Sequence, residues 1–215
     1  MKHSEFWDSY VTNKLLDGKV PAEEWGNSEG FIEELVSLCK PNYVALEIGC
    51  GSGRITKEVY EKLGRIHAFD VSLGMINECR KNIKDSACVT FHRCLDDVVS
   101  LFPIEDESID LVFSHDVFVH FDNYEVMCYF NEISRVLKPG GKALISFFEI
   151  NKDNVGNYDK VAESYNESKI MFQHRVHNNS FVIMELVELM SRNTDLEIID
   201  HIRNSYLIIT FANYK

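Results

Sequence analysis

The chain has 215 residues, 45% hydrophobic and 26% charged, which suits one globular domain around one core, with no second core expected. Lys and Arg number 22 against 34 Asp and Glu; the resulting net charge of −12 repels phosphate backbones and anionic bilayers, arguing against nucleic acid or membrane as a partner. The six cysteines include no CxxC pair, the N-terminus has no signal-type apolar stretch, and no run approaches the roughly 20 apolar residues that cross a bilayer, so a reduced, soluble, cytoplasmic protein is expected.

In chain order, Phe31, Ile32, Leu35, Val36, Leu38 and Cys39 mark one face of a helix that Pro41 stops. Residues 43–48 then form a short apolar run typical of a buried strand, followed by a glycine-rich turn. A helix is expected over 55–63, ended by Gly64, and a second strand over 65–70. Ser72 can cap a third helix running to about Ile83, whose basic run Arg80-Lys81-Asn82-Ile83-Lys84 reads as a solvated face. A third strand follows over 89–94 and a fourth over 109–114.

Asp122 with Glu125 three residues on has the form of a capping box, and Val126, Phe130, Ile133 and Leu137 continue as one helical stripe. Lys138-Pro139-Gly140-Gly141 breaks the helix before a fifth strand over 143–148. Five βα units in succession imply a parallel sheet with helices on both faces. Residues 149–179 lose this periodicity and read as a functional insertion or lid. A last helix over 181–191 and two strands over 196–202 and 207–213, paired antiparallel, complete the expected elements.

Open parallel sheets bind ligands beyond the carboxyl ends of their strands, where the strand order reverses. The first strand ends there in Glu47-Ile48-Gly49-Cys50-Gly51-Ser52-Gly53, whose alternate glycines permit a tight turn and close backbone approach to a ligand. A dinucleotide turn counted from Gly49 needs a third glycine at position 54, where this chain has Arg54. The acidic residue, the apolar residue and the G-x-G-x-G spacing instead resemble the first motif of class I S-adenosylmethionine-dependent methyltransferases. Residues 109–114 and Leu137-Lys138-Pro139-Gly140-Gly141 resemble that family's fourth strand and the turn before its fifth, so the likeness spans about 41–148.

The resemblance implies an α/β fold, Rossmann-like and doubly wound, with a mostly parallel seven-stranded sheet and an antiparallel C-terminal strand. It assigns S-adenosyl-L-methionine as cofactor and S-adenosyl-L-homocysteine as product. The backbone at Gly49, Cys50 and Gly51 would meet the methionine portion, with Gly53 and Arg54 completing the loop. Glu47 would orient that loop or reach the amino group through water. Asp70, 21 residues after Gly49, can accept both ribose hydroxyl hydrogens, and Val71 and Met75 would flank the adenine. Where the family often has an adenine-binding Asp, this chain has Leu95 with Asp96 beside it, a one-residue shift.

Methyl transfer from a sulfonium is an in-line displacement by an acceptor that the protein aligns and deprotonates. Ser114, His115, Asp116 and His120 follow the fourth strand, where acceptor and methyl should meet. His120 is the preferred general base and His115 the second; the competing role of each is to satisfy a backbone carbonyl or cap the following helix. Glu149, directly after the fifth strand, is a third candidate. Asp116 and His120 are four apart, as metal ligands on a helix could be, but Val119 fills the slot of a second acid, and no metal is expected.

Tyr158, Tyr165, Phe172, His174 and His177 give the insertion an aromatic and imidazole surface that could shape an acceptor pocket. Phe6, Trp7, Tyr10 and Trp25 would close the opposite side from a helical cover over 1–40. The resulting expectation is a single domain over 1–215 that methylates a small molecule, on oxygen ahead of nitrogen, as a monomer or homodimer. A non-catalytic S-adenosylmethionine-binding module and, further off, a nicotinamide-dependent oxidoreductase are the alternatives.

Overall fold

The computed structural model describes residues 3–19, 21, 28–83, 87–94, 103–149, 181–182, 184–203 and 207–215. Leu95, Asp96, Trp25 and the insertion residues Tyr158, Tyr165, Phe172, His174 and His177 lie outside them.

The short apolar runs pair as the strands of one sheet: β1 (Val44–Ile48), β2 (Arg65–Asp70), β3 (Val89–Arg93), β4 (Ile109–Ser114) and β5 (Leu137–Glu149). These five are parallel, β2 and β4 flanking β1. A two-residue β6 (Phe181–Val182) pairs with the end of β5, while β8 (Leu207–Asn213) runs antiparallel between β5 and β7 (Leu196–Arg203). Apart from β6, the order is β3-β2-β1-β4-β5-β8-β7, so the sheet is seven-stranded, mixed and doubly wound. β1 and β4 are buried on both faces, which is why they read as nearly continuous apolar runs.

Helices α2 (Glu29–Leu38), α3 (Thr56–Val59) and α4 (Leu73–Asn82) cover one face around Phe31, Leu35, Val59 and Ile76. On the other lie α5 (Asn123–Val136) and α6 (Met184–Ser191), packed around Phe130, Ile133, Val187 and Phe211. The capping box of α5 is complete: the Tyr124 and Glu125 amides donate to Asp122 Oδ1 at 2.9 and 3.0 Å, and the Asp122 amide donates to Glu125 Oε2 at 2.7 Å. Ser72 caps α4 by accepting from the Met75 amide at 3.0 Å. The N-terminal α1 (His3–Leu16) packs on α4 and buries Val11.

Three elements differ from expectation. The helix after the glycine turn is only four residues long, followed by a 3-10 turn at Tyr60–Lys62; β-branched Thr56 and Val59 favour helix poorly. Gly64 does not cap it: a Cβ there would lie 2.9 Å from the Pro41 carbonyl oxygen, so a close backbone approach requires the glycine. β5 begins at Leu137 rather than 143, because Leu137 pairs with Ile109 and the Lys138–Gly141 segment forms a bulge within the strand. Phe181 and Val182 join the sheet edge beside Phe148 and Glu149 instead of opening α6.

Candidate active site

β1 and β2 end side by side, with Ile48 opposite Phe69, and the chain must reverse at once to enter α3. The amides of Gly49 and Cys50 both donate to the Phe69 carbonyl at 2.8 Å, and the Gly51 amide donates to Asp70 Oδ2 at 2.8 Å. These N–H groups therefore shape the turn. What the glycines contribute is proximity. At Gly49, φ is +74° and a Cβ would sit 2.3 Å from Val117 Cγ2; at Gly51, φ is +52° and a Cβ would meet nothing within 4 Å.

Asp70 accepts from Gly51 on one oxygen and from the Ser72 amide on the other at 2.8 Å, and the Val71 amide also bonds to the carboxylate. Burial pushes its pKa up to about 6 while these amide bonds pull the other way, so it is ionised at neutral pH. Beside it opens a cleft whose empty space, open solvent included, is about 830 Å³. Gly49, Cys50, Gly51, Arg54, Asp70, Val71, Met75, His115 and His120 line it. Trp7 and Asp116 line it as well, so the cleft gathers eleven of the residues singled out from sequence.

Four others do not line it. Glu47 is 2% exposed and accepts from Thr56 Oγ1 at 2.6 Å, and burial pushes its pKa up to about 8. Gly53 faces Cys79, whose Sγ would lie 2.9 Å from an added Cβ. Ser114 donates to the Ile48 carbonyl at 2.9 Å, tying β4 to β1. Glu149 is gripped by Arg203, whose Nε reaches its two oxygens at 3.0 and 2.9 Å, so its carboxylate is held in an ion pair away from the cleft.

The two histidines differ sharply. His115 stacks on Phe31 at 4.4 Å, with Nδ1 2.9 Å from Ser146 Oγ and Nε2 3.1 Å from Ser28 Oγ. Burial pulls its pKa down to about 4, so it is a neutral, weakly basic ring fixed by both nitrogens. His120 ends a 3-10 turn (Phe118–His120) and meets the edge of Trp7 at 5.1 Å. Asp116 adopts a left-handed φ of +61° and pairs with Arg54 at 2.5 Å; Arg54 also donates to Ser28 Oγ.

Sequence reasoning missed His3, Val117, Phe121 and Tyr129, which also line the cleft. Tyr129 was within reach, since it follows Val126 by three on the apolar stripe of α5. His3 sits one helical turn before Trp7, but nothing local says that α1 docks here.

A doubly wound sheet with a glycine turn and an acid at the ends of adjacent strands defines a nucleoside-cofactor fold. Residues 46–145 match the family model described as a methyltransferase domain. Phosphoethanolamine N-methyltransferase 2 of Caenorhabditis elegans is 26% identical over 70% of this chain and 31% of its own length. An uncharacterized methyltransferase-like protein of Schizosaccharomyces pombe is 32% identical over 77% of this chain and 56% of its own. The chain thus spans between about a third and a little over half of these relatives. The N-methyltransferase NodS of Bradyrhizobium japonicum, solved with S-adenosyl-L-homocysteine, superposes with a TM-score of 0.69 at 15% identity, covering 100% of both chains. Residues 46–145 thus match a methyltransferase domain, and the fold around them is that of class I, Rossmann-like S-adenosylmethionine-dependent methyltransferases.

Proposed function

We propose that this chain transfers a methyl group from S-adenosylmethionine to a small-molecule acceptor, to oxygen ahead of nitrogen. The observation that carries the reading is the pairing of Gly51 with Asp70 in the cleft: an open glycine surface beside an ionised carboxylate. Those residues fit the cofactor. Asp70 would take the ribose hydroxyls, Val71 and Met75 the adenine faces, and the Gly49–Gly51 turn the methionine portion. When bound, S-adenosylmethionine supplies an activated methyl on a sulfonium.

The chain's own task is then to align the acceptor and take its proton. His120 is the base in this reading, because it lines the cleft and Trp7 fixes its ring from one edge. His115 orients the surrounding chain, its ring held between two serine hydroxyls. Acceptors differ among the relatives: they include a malonyl-[acyl-carrier protein] O-methyltransferase of Ilyobacter polytropus and a tRNA N(3)-cytidine methyltransferase of Gallus gallus. The net charge of −12 favours a small molecule over nucleic acid here. Six unpaired cysteines suit a reducing, cytoplasmic setting, and we read the protein as a monomer or homodimer without a membrane partner. No helix among the described residues is long and apolar enough to cross a bilayer.

Calorimetry with S-adenosylhomocysteine and NAD, followed by methyl transfer from labelled S-adenosylmethionine to a panel of hydroxyl and amine acceptors, tests this. Saturable homocysteine-adduct binding and a labelled product are expected. NAD binding without the adduct would replace the reading with an oxidoreductase, and adduct binding with no labelled acceptor would reduce it to a binding module.

A further inference from the structure

Helix α1 buries only Ser4 and Val11, and Leu15 and Leu16 near its end stay exposed, so apolar burial does little to direct its docking. Its seat is nevertheless specific. Asp8 Oδ1 accepts from Ser72 Oγ at 2.6 Å and from the Gly74 amide at 3.0 Å, and Oδ2 lies 3.4 Å from Arg93. The carboxylate therefore sits at the N-terminus of α4, satisfying an amide that the helix cannot and meeting its positive dipole end. One turn on, Val11 packs where a Cβ on Gly74 would come within 3.1 Å of its Cγ1, so the close approach of α1 to α4 favours glycine there.

The loop that Asp8 grips also holds Asp70, whose Oδ1 accepts from the Ser72 amide. The neighbouring face of α1 carries His3 and Trp7, both lining the cleft, with Trp7 against His120 and His3 6.2 Å from Phe121. One helix thus touches the loop of the ribose-binding acid and the rim where the acceptor enters.

We propose that Asp8, by accepting from Ser72 and Gly74 rather than by pairing with Arg93, is the positioning residue that seats α1 on the cleft, fixing Trp7 against His120 and completing the wall of the donor pocket. Its effect on the donor rests on the reading of the cleft as an S-adenosylmethionine site; the seating of α1 does not. The side chain of Asp8 is 38% exposed, so its removal spares the core.

The test uses the full chain carrying Trp25→Phe, which leaves Trp7 as the reporter of α1. Acrylamide quenching of Trp7 and calorimetry with S-adenosylhomocysteine are compared for this reference, Asp8→Ala and Asp8→Asn, with thermal melts to verify folding. Asp8→Ala should raise quenching about twofold and weaken the adduct by about tenfold, the scale of a lost charge-assisted hydrogen bond. Asp8→Asn keeps the acceptor facing Ser72 and Gly74 and should return both readouts to within about threefold of the reference. Unchanged quenching and affinity in Asp8→Ala overturn the proposal. So does Asp8→Asn behaving like Asp8→Ala, which would make the ion pair with Arg93 the active contact. A reference chain that does not bind the adduct overturns the donor part and the proposed function together, while quenching still decides whether Asp8 seats the helix.

Discussion

The two sides of the cleft are built in different ways. The β1–β2 side is local: residues 47–75 supply the turn, the acid and the apolar flank, and its hydrogen bonds run mostly between backbone amides and the Phe69 carbonyl or the Asp70 carboxylate. The β4 side is assembled from distant segments, with His3 and Trp7 from α1, His120 and Phe121 after β4, and Tyr129 from α5. Backbone geometry fixes the first side, and side-chain packing fixes the second. A fold can therefore keep one donor site while the packing residues on the other side change the acceptor.

The largest expected effect belongs to the β4 side. His120→Ala should lower kcat by about 10²- to 10⁴-fold, the usual range for a lost general base, with S-adenosylhomocysteine affinity within about threefold of the parent. Steady-state kinetics paired with calorimetry reads both. A retained kcat would break the division of labour, because the base would then lie elsewhere.

On the β1–β2 side, Gly49→Ala combines left-handed backbone strain with a clash against Val117 and should cost about 2–4 kcal/mol in urea unfolding. Gly51→Ala meets no neighbour and should cost only about 1 kcal/mol of stability, while the methyl intrudes on the cleft and weakens the adduct. Equal destabilisation by the two would mean that the loop is not built by the Val117 approach. Asp70→Asn removes the charge and leaves at least one of its amide donors without an oxygen partner. The adduct should weaken by about 10- to 100-fold, consistent with hydrogen bonds to a charged group.

The same division explains what was legible in the sequence. The strands themselves, the antiparallel β7–β8 pair, the caps of α4 and α5 and the Gly49–Asp70 pairing all follow from contiguous patterns whose physics is local, whereas the strand order does not. Glu149 was misread because a carboxylate at a strand end looks available until Arg203, 54 residues away, is seen to hold it. His115 is the second candidate base in the sequence, yet it stacks on Phe31 and bonds Ser28 and Ser146 as a buried neutral ring, and none of the three is near it in the chain. Asp8 gave no signal at all, because its partner is the N-terminus of a helix 64 residues on.

Glu47 gives the smallest and sharpest test, since it belongs to the motif but turns away from the cleft. Its folded-state pKa is raised to about 8 from an ordinary 4.5, chiefly by burial. Below about pH 4.5 both folded and unfolded chains hold the proton, and the buried acid costs nothing. Between 4.5 and 8 the unfolded chain releases it while the folded chain keeps it, so stability drains away as pH rises and levels off above 8. Glu47→Gln cannot ionise and still offers Thr56 an acceptor oxygen in place of the one now 2.6 Å away. Its melting temperature should match the parent near pH 4.5 and exceed it increasingly up to pH 8. His115, depressed to about 4, weakens both proteins equally as pH falls from its ordinary 6.5, so the difference between them reports Glu47 alone. Adduct affinity should stay within about threefold, since no hydrogen bond to a charged partner in the cleft is lost. A variant that melts lower at every pH, or that loses the adduct, would return Glu47 to the donor side of the cleft and make the motif acid a ligand rather than a buried brace for Thr56.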